Sequence, residues 1–463
     1  MSQVNKAPTL GENKMGVMPV GKLILNMALP MIMSMMVQAI YNVVDSMYIS
    51  RYSEAAVTAL GLAFPVQNVQ IGFAMGISVG VNSLLSKSLG EGNREKANQA
   101  AGNGVFIALC VTAMFILFGI FGVRPYYQMQ NASQEILESG ISYTSICCIC
   151  TLGIYFELLF ERLLQSTGRT MHTMITQSVG AVTNIILDPI FIFGVDALGI
   201  PAMGATGAAI ATVLGQWVAG TLAVIFNFKF NKDIHLSWKN ILPKGKIIKP
   251  ILAVGVPTML MNSISSVMNF SMNQILMSFK NVGETATGVF SIYYKLQSFF
   301  FMPLFGLNSA VISIIAFNFG ARNYERIMKT LKLSIGGALC LMIAGFLAFE
   351  LIPEQLLGIF ALSETFVSLG KVALRIIAIS FPLAAVCIGL SSSFQALGNG
   401  IYSTISSLCR QMIALLPAAY LLSLTGNVNN VWWAFPIAEI GSLTACTFFF
   451  IRIYKQKLKP LKP

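Results

Sequence analysis

Asp45 and Asp188 each lie inside a long apolar run of the first half of the chain. An ionisable group at mid-membrane depth costs at least ~2.5 kcal/mol, which makes it a functional candidate by default. The run holding Asp45 continues about six residues past it and the run holding Asp188 about seven. At 1.5 Å per residue, both carboxylates fall ~9–10 Å below the same surface. Tyr41 and Asn42 precede Asp45 by one helical turn, Asn184 precedes Asp188 by one turn, and Thr206 stands a few residues into the next run from that surface. Residues one turn apart share a helix face, so two carboxylates, an amide oxygen and hydroxyls could converge at one level. Hard oxygens of this kind suit a small cation, and two carboxylates in contact can equally share a proton. The residue types leave H⁺ and Na⁺ both open.

Further polar residues sit in the same setting. Glu161 lies about five residues from the end of its run, beside Arg162, where an ion pair and a role in cation or substrate handling are both expected outcomes. Glu157 is one turn deeper, and Gln38 and Pro30 join the first apolar run as cavity candidates. In the second half, Asn262, Asn269 and Asn273 form a polar stripe at helical spacing, expected to face a substrate cavity. With 24 Met and 32 Phe in the chain, such a cavity would have soft apolar walls tolerant of many amphipathic ligands. Lys295, Arg375, Arg410 and Glu439 also fall inside or near the ends of runs; structural roles are expected for Lys295 and Arg410, by snorkelling and pairing. The chain has two histidines and no H-E-x-x-H, G-x-S-x-G or P-loop pattern, so an enzyme and a direct ATP-driven pump lack residues to carry them. No cofactor or metal is expected. Cys147, Cys148 and Cys150 cannot converge on one ion, because adjacent helical residues point about 100° apart, and they read as packing.

The elements that must position these groups are membrane helices. Of 463 residues, 55% are hydrophobic and 10% charged, against about 25% charged in soluble proteins. Twelve spans are predicted at about 22–50, 55–86, 97–122, 133–166, 171–195, 203–228, 247–279, 285–316, 328–350, 364–396, 401–424 and 430–453. Alternate connections are strongly basic, and the opposite ones hold only Arg51, Arg124 and Lys280. The net charge of +12 is therefore orientation information rather than a nucleic-acid surface. It places both termini in the cytoplasm of a multi-pass plasma-membrane protein. The polar start of the chain reads as a cytoplasmic segment and not as a cleavable signal.

The spans are duplicated. Gly90-Glu91-Gly92-Asn93 returns as Gly320-Ala321-Arg322-Asn323 after 230 positions, Pro30 matches Pro257 at 227 and Pro189 matches Pro417 at 228. Direct repeats in a membrane chain point to two bundles facing a shared path. The fold expected is all-α, twelve helices in two pseudo-symmetric six-helix bundles around a V-shaped cavity. Residues 1–21 would be a cytoplasmic segment, 22–228 the first lobe, 229–246 a linker, 247–453 the second lobe and 454–463 a basic tail. At these offsets Asp45 meets Met272, Asn184 meets Met412, Asp188 meets Leu416 and Glu161 meets Ser391, so the acids belong to one copy alone. The repeated Gly-x-Gly/Arg-Asn loop reads first as a helix-start turn and second as part of an inner gate. Gly72, Gly76 and Gly80 read as a close-packing stripe.

These residues carry a resemblance to the multidrug and toxic compound extrusion (MATE) family, in particular its DinF-like branch and MepA-type exporters. The matching motifs are Leu29-Pro30, Asn42-x-x-Asp45 with Ile49-Ser50-Arg51, Leu89-Gly90-Glu91-Gly92-Asn93, Gln165-Ser166-Thr167-Gly168-Arg169, Asn184-x-x-x-Asp188-Pro189 and Gly204-Ala205-Thr206-Gly207-Ala208-Ala209. The resemblance implies export of cationic or amphipathic compounds in exchange for H⁺ or Na⁺, by one polypeptide acting as a monomer. It implies that Asp45, Asn184, Asp188 and Thr206 form the cation site, accompanied by Tyr41 and a bend at Pro30, with Glu161 as an added acid of MepA-type exporters. NorM-like members place carboxylates in the second lobe, where this sequence lacks acids at the positions matching Asp45 and Asp188. A lipid-linked glycan flippase of the same superfamily is the alternative, and buried acids with twelve spans disfavour it.

Overall fold

A computed structural model describes residues 13–129, 134–195, 199–280, 282–358 and 364–462, except for the side chains of residues 43, 46, 50, 54, 55, 57 and 58. The first twelve residues of the expected segment 1–21 therefore lie outside the described residues. The first half contributes α1 (Val20–Tyr52), α2 (Glu54–Gly90), α3 (Arg94–Leu117), α4 (Gln134–Ile149), α5 (Leu152–Ser166), α6 (Thr170–Phe193) and α7 (Gly204–Phe230). The second contributes α8 (Gly245–Met277), α9 (Gly283–Gly320), α10 (Tyr324–Leu351), α11 (Glu364–Ala378), α12 (Phe381–Ala396), α13 (Gly400–Leu408), α14 (Leu416–Ser423) and α15 (Ala434–Ile453). A π-helical stretch, Cys409–Leu415, joins α13 to α14.

Among the described residues, ten helices are long and apolar enough to cross a membrane. The pairs α4–α5 and α11–α12, bent by 45° and 46°, bring the number to twelve if each is one span. These bends fall in the predicted spans 133–166 and 364–396. In the second, Pro382 lacks an N–H and starts a new helix at its first turn. In the first, Trp217 Nε1 takes up the Cys150 carbonyl at 3.2 Å. Gly153 leaves room for that indole; a Cβ there would lie 2.8 Å from Trp217 Cδ1.

The two repeats are joined most closely at the basic-loop end. Gly76 and Gly80 of α2 face α8 without side chains of their own: a Cβ on Gly76 would stand 2.6 Å from the Gly255 carbonyl, and one on Gly80 would enter the Ile251 carbonyl. The glycine stripe is thus a backbone-to-backbone contact between the halves. At the loops, a Cβ on Gly90 would strike the Phe317 carbonyl and one on Gly320 the Lys87 carbonyl. Each loop also starts a helix. Asn93 Oδ1 accepts from the Lys96 N–H at 2.9 Å and Asn323 Oδ1 from the Arg326 N–H at 3.1 Å, both N-caps. Gly92 holds φ +71°, and Arg322 fills the matching place at φ +55°. The repeated loop is thus a helix-start turn that also lies against the opposite half. Toward the far ends of α2 and α8, Phe64 and Phe270 are exposed.

The first-half core gathers Ile77, Val81, Leu85, Tyr155 and Leu159, and the second-half core Phe290, Tyr293, Phe349, Phe381 and Trp432. Met15, Val20, Leu23 and Met27, from the start of the chain, pack into the second-half core. Arg326 fixes this crossing: its Nη2 donates to the carbonyls of Met15 and Met18, each at 2.8 Å. Helix α1 accordingly leans on α9 at its basic-loop end and on α6 further along.

Candidate cation site

Pro30 stands where α1 touches both halves. A proline inside a helix cannot donate to the carbonyl four residues back. The Asn26 carbonyl so released accepts from Thr170 Oγ1 at 3.4 Å. Immediately after Pro30, the backbone at Met31 and Ile32 lies against Gly306 of α9, where a Cβ would come within 2.8 Å. One turn later, Ser34 Oγ donates to Gln177 Oε1 of α6. Beyond this point α1 belongs to the first half, and it brings Gln38, Tyr41, Asn42 and Asp45 along α6. Gln38 Nε2 donates to Asn42 Oδ1 at 3.4 Å across one turn.

The carboxyl groups of Asp45 and Asp188 lie within hydrogen-bonding reach of each other. Asp188 is fully buried, one residue before Pro189 of α6. Asp45 is half-buried. Asn184 is oriented by its two ends: Nδ2 donates to Asp188 Oδ2 at 2.9 Å, and Oδ1 accepts from the Thr212 N–H at 3.1 Å. The Thr212 hydroxyl lies against the Asn184 amide and the Tyr41 hydroxyl. Tyr143 and Cys147 of α4 neighbour Asp45, and Tyr143 is held by Gln67 Nε2 at 2.9 Å. Asp45 Oδ1 and Asp188 Oδ1 are buried and find no hydrogen-bond donor among the described residues. Two carboxylates touching at low dielectric repel strongly when both are charged. The arrangement is stable with one positive charge supplied at that point, a proton or a small cation. These oxygens suit either.

Thr206 does not join this group. Helix α7 runs back along α6 from the short bridge of Val195 with Ile200. Its register is set where Gly207 meets the Phe191 carbonyl and Gly215 meets Asn184. That places Thr206 beside Phe191, about one turn further out than Asp188, and brings Thr212 to the site instead. Thr212 was missed because a lone Thr in an apolar run carries no signal; the helix-to-helix register is what selects it. Replacing Thr212 by Val is expected to weaken the apparent affinity for the driving cation about tenfold, the loss of about 1.4 kcal/mol. Thr206→Val should change it less than about threefold. Efflux rates at graded concentrations of the driving cation distinguish the two.

Nearer the basic-loop end, Glu161 is buried and accepts from Thr176 Oγ1 at 2.8 Å. Arg162 turns the other way, donating Nη1 to Gln165 Oε1 at 2.8 Å, so the ion pair expected between neighbours does not form. Glu157 lies close to Glu161 electrostatically. Thr176 and Asp188 are twelve residues apart on α6, which separates the two acid clusters by about 18 Å.

The asparagine stripe of α8 is mostly self-satisfied. Asn262 Nδ2 donates to the Thr258 carbonyl at 3.4 Å and Asn269 Nδ2 to Ser265 at 3.1 Å, while Asn273 Oδ1 is buried without a donor among the described residues. Asn262 stands opposite Gly72, at the edge of the inter-half contact.

A family model described as MatE matches residues 30–190 and again residues 257–421. The chain belongs to the MatE family, whose members are multi-pass membrane transporters and not enzymes. The two matched stretches fall within the two copies seen in the sequence. Among relatives, a probable multidrug resistance protein NorM of Thermotoga maritima is 27% identical over 414 residues, covering 87% of this chain and 85% of the relative. The multidrug export protein MepA of Staphylococcus aureus strain N315 is 23% identical over 424 residues, 91% of each chain. A FAD transporter of Shewanella oneidensis is 23% identical over 435 residues, 94% of this chain and 95% of the relative. A crystal structure described as MATE in complex with MaL6 superposes with a TM-score of 0.88 at 24% identity, over 98% of both chains. An outward-facing conformation of a multidrug resistance MATE family transporter matches with the same score and identity, over 100% of this chain and 99% of that one.

Proposed function

We propose that this protein is an antiporter that exports cationic or amphipathic compounds in exchange for H⁺ or Na⁺ by alternating access. The observation that carries this reading is the contact of Asp45 with Asp188 at lipid depth, with an oxygen of each left without a donor among the described residues. A cation entering there neutralises the pair, and Asn184, Thr212 and Tyr41 adjust around it. Thr206 lies one turn out on the entry side. Helix α1 passes the change to the second half through its contacts with both halves around Pro30. A ligand shifts a conformational equilibrium only by its differential affinity for the two states. The charged pair provides that difference for a cation.

The basic loops support an orientation with the closely packed end of the halves in the cytoplasm. On that orientation the halves are open toward the outside of the plasma membrane, with both termini inside. Residues 22–228 and 247–453 move as lobes about the 229–246 linker, and the basic tail 454–463 stays cytoplasmic. The names of the relatives supply the substrate class: organic drugs in two cases and a flavin nucleotide in the third. Purified protein in liposomes, loaded with a fluorescent organic cation or with FAD, tests the reading. Efflux is expected to accelerate under an imposed pH gradient or an imposed Na⁺ gradient. Equal rates with and without both gradients would remove the antiport mechanism. Gradient-independent translocation of a lipid-linked glycan would favour the flippase.

A further inference from the structure

Among the described residues, the second half holds one buried charge pair, and it is built differently. Arg410 Nη1 lies 3.2 Å from Glu439 Oε1. Arg410 sits in the π-helical stretch Cys409–Leu415, ten residues or about 15 Å from Gly400, whose backbone is pressed against Val254 at the basic-loop end. That is mid-membrane depth, not a helix end. Its side chain is 29% exposed and that of Glu439 9%. A guanidinium at this depth is too costly to face lipid, so its open side belongs to the protein interior. The groups that face the pair are Tyr293 and Tyr294 of α9, Cys387 of α12 and, on α15 itself, Cys446. Among these described neighbours neither another carboxylate nor another cation is present. Glu439 Oε2 is buried without a hydrogen-bond partner among the described residues.

At the offset of 228 that aligns Pro189 with Pro417, Arg410 falls on Val182 and Glu439 on Ala211. The second-half pair therefore has no charged counterpart in the first half, as Asp45 and Asp188 have none in the second. In the first half two carboxylates meet with no fixed counter-charge. In the second, the buried carboxylate has a covalently attached one. We propose that Arg410 is a resident counter-ion that keeps Glu439 out of cation exchange, and so confines exchangeable cations to the first half. Glu439 without Arg410 is a buried acid of the same kind as Asp188, and it must take up a proton or a small cation to stay neutral. Arg410 thereby sets how many cations accompany each transported molecule. This inference rests on the antiport reading only for that last consequence.

The binding part is tested without transport. Protein in nanodiscs is titrated across neutral pH by infrared difference spectroscopy, following the C=O stretch of protonated carboxyls, in a D45N/D188N background. Phenols and thiols do not absorb in that window, so Tyr293, Tyr294, Cys387 and Cys446 do not confuse the signal. Arg410→Gln is expected to add about one protonatable carboxyl per molecule, and adding Glu439→Gln should remove it. Arg410→Lys should add none. No gain in R410Q, or a gain that survives E439Q, overturns the proposal. Should R410Q fail to fold, the exchanged pair Arg410→Glu with Glu439→Arg must titrate like the parent, and an added proton there overturns the proposal equally. In liposomes, R410Q with an intact first half should move one more cation per substrate than the parent. A carboxyl gained spectroscopically with an unchanged transport ratio would leave the counter-ion in place and overturn its role in setting the cation count.

Discussion

Asp188→Asn abolishes gradient-driven export while the protein melts at the same temperature as the parent or higher. Both halves of this expectation come from one contact. Asp188 is fully buried, its carboxyl touches that of Asp45, and Asn184 donates to its Oδ2 at 2.9 Å. Asparagine has the same shape. Its amide oxygen can keep the bond from Asn184, and its NH₂ group can donate to Asp45. The fold loses a repulsion and gains a hydrogen bond, a change on the order of 1 kcal/mol in favour of the folded state. The site loses one of its two charges, and with it the differential affinity for a cation that coupling needs. Asp45→Asn should behave alike, and the double variant no worse than either single one, because the two residues act as one unit. Efflux under an imposed gradient should fall to the level of protein-free liposomes. Passive exchange of substrate between equilibrated compartments should persist. If D188N retains half or more of the parental driven rate, the pair is not where coupling happens. If its melting temperature collapses instead, Asp188 is a structural acid.

Much of this was legible before any coordinates. An acid in the middle of an apolar run needs a reason, and Asp45 and Asp188 lie equally deep in runs of the same direction. Depth along a helix can be counted in residues, so their meeting follows from composition and rise per residue. The missing parts depend on rotation and register, which counting does not give. Thr212 was passed over and Thr206 preferred because the register of α7 on α6 is decided by glycines meeting backbone, at Gly207 and Gly215. Glu161 and Arg162 suggested an ion pair through adjacency, yet neighbours on a helix diverge by about 100°. The same angle kept Cys147, Cys148 and Cys150 from being read as a metal site. Arg410 looked like a residue near a helix end, but the start of α13 at Gly400 and its continuation through the π-helical stretch carry it to mid-depth. The crossing of the chain's start into the second-half core had no sequence signal, since Met15, Leu23 and Met27 would suit either half.

Gly90→Val and Gly320→Val should each prevent the basic-loop end from closing. These two glycines stand across from one another at the ends of α2 and α9, and each meets backbone of the opposite half: Gly90 the Phe317 carbonyl, Gly320 the Lys87 carbonyl. A flexible side chain could yield to an added Cβ, but a carbonyl held in a helix cannot move without the helix. Each substitution therefore forces the ends of α2 and α9 apart, and the Lys87–Glu91 and Lys96–Glu91 contacts around them are exposed and weak. The cost falls on the state in which the halves touch here. It spares the opposite state, in which they separate at this end. The expected result is a folded protein whose equilibrium has moved by more than about 2.7 kcal/mol, a hundredfold change in population, toward opening at the basic-loop end. Spin labels at the starts of α3 and α10, near Arg94 and Arg326, should report a longer distance than in the parent, and transport should stall because the cycle can no longer return. Gly336 provides the control, since a Cβ there meets nothing within 4 Å. Gly336→Val should leave both distance and transport near parental values. An unchanged loop distance in G90V would mean that this contact is incidental to closure, and that the longer seam of Gly76 and Gly80 against α8 holds the halves together without it.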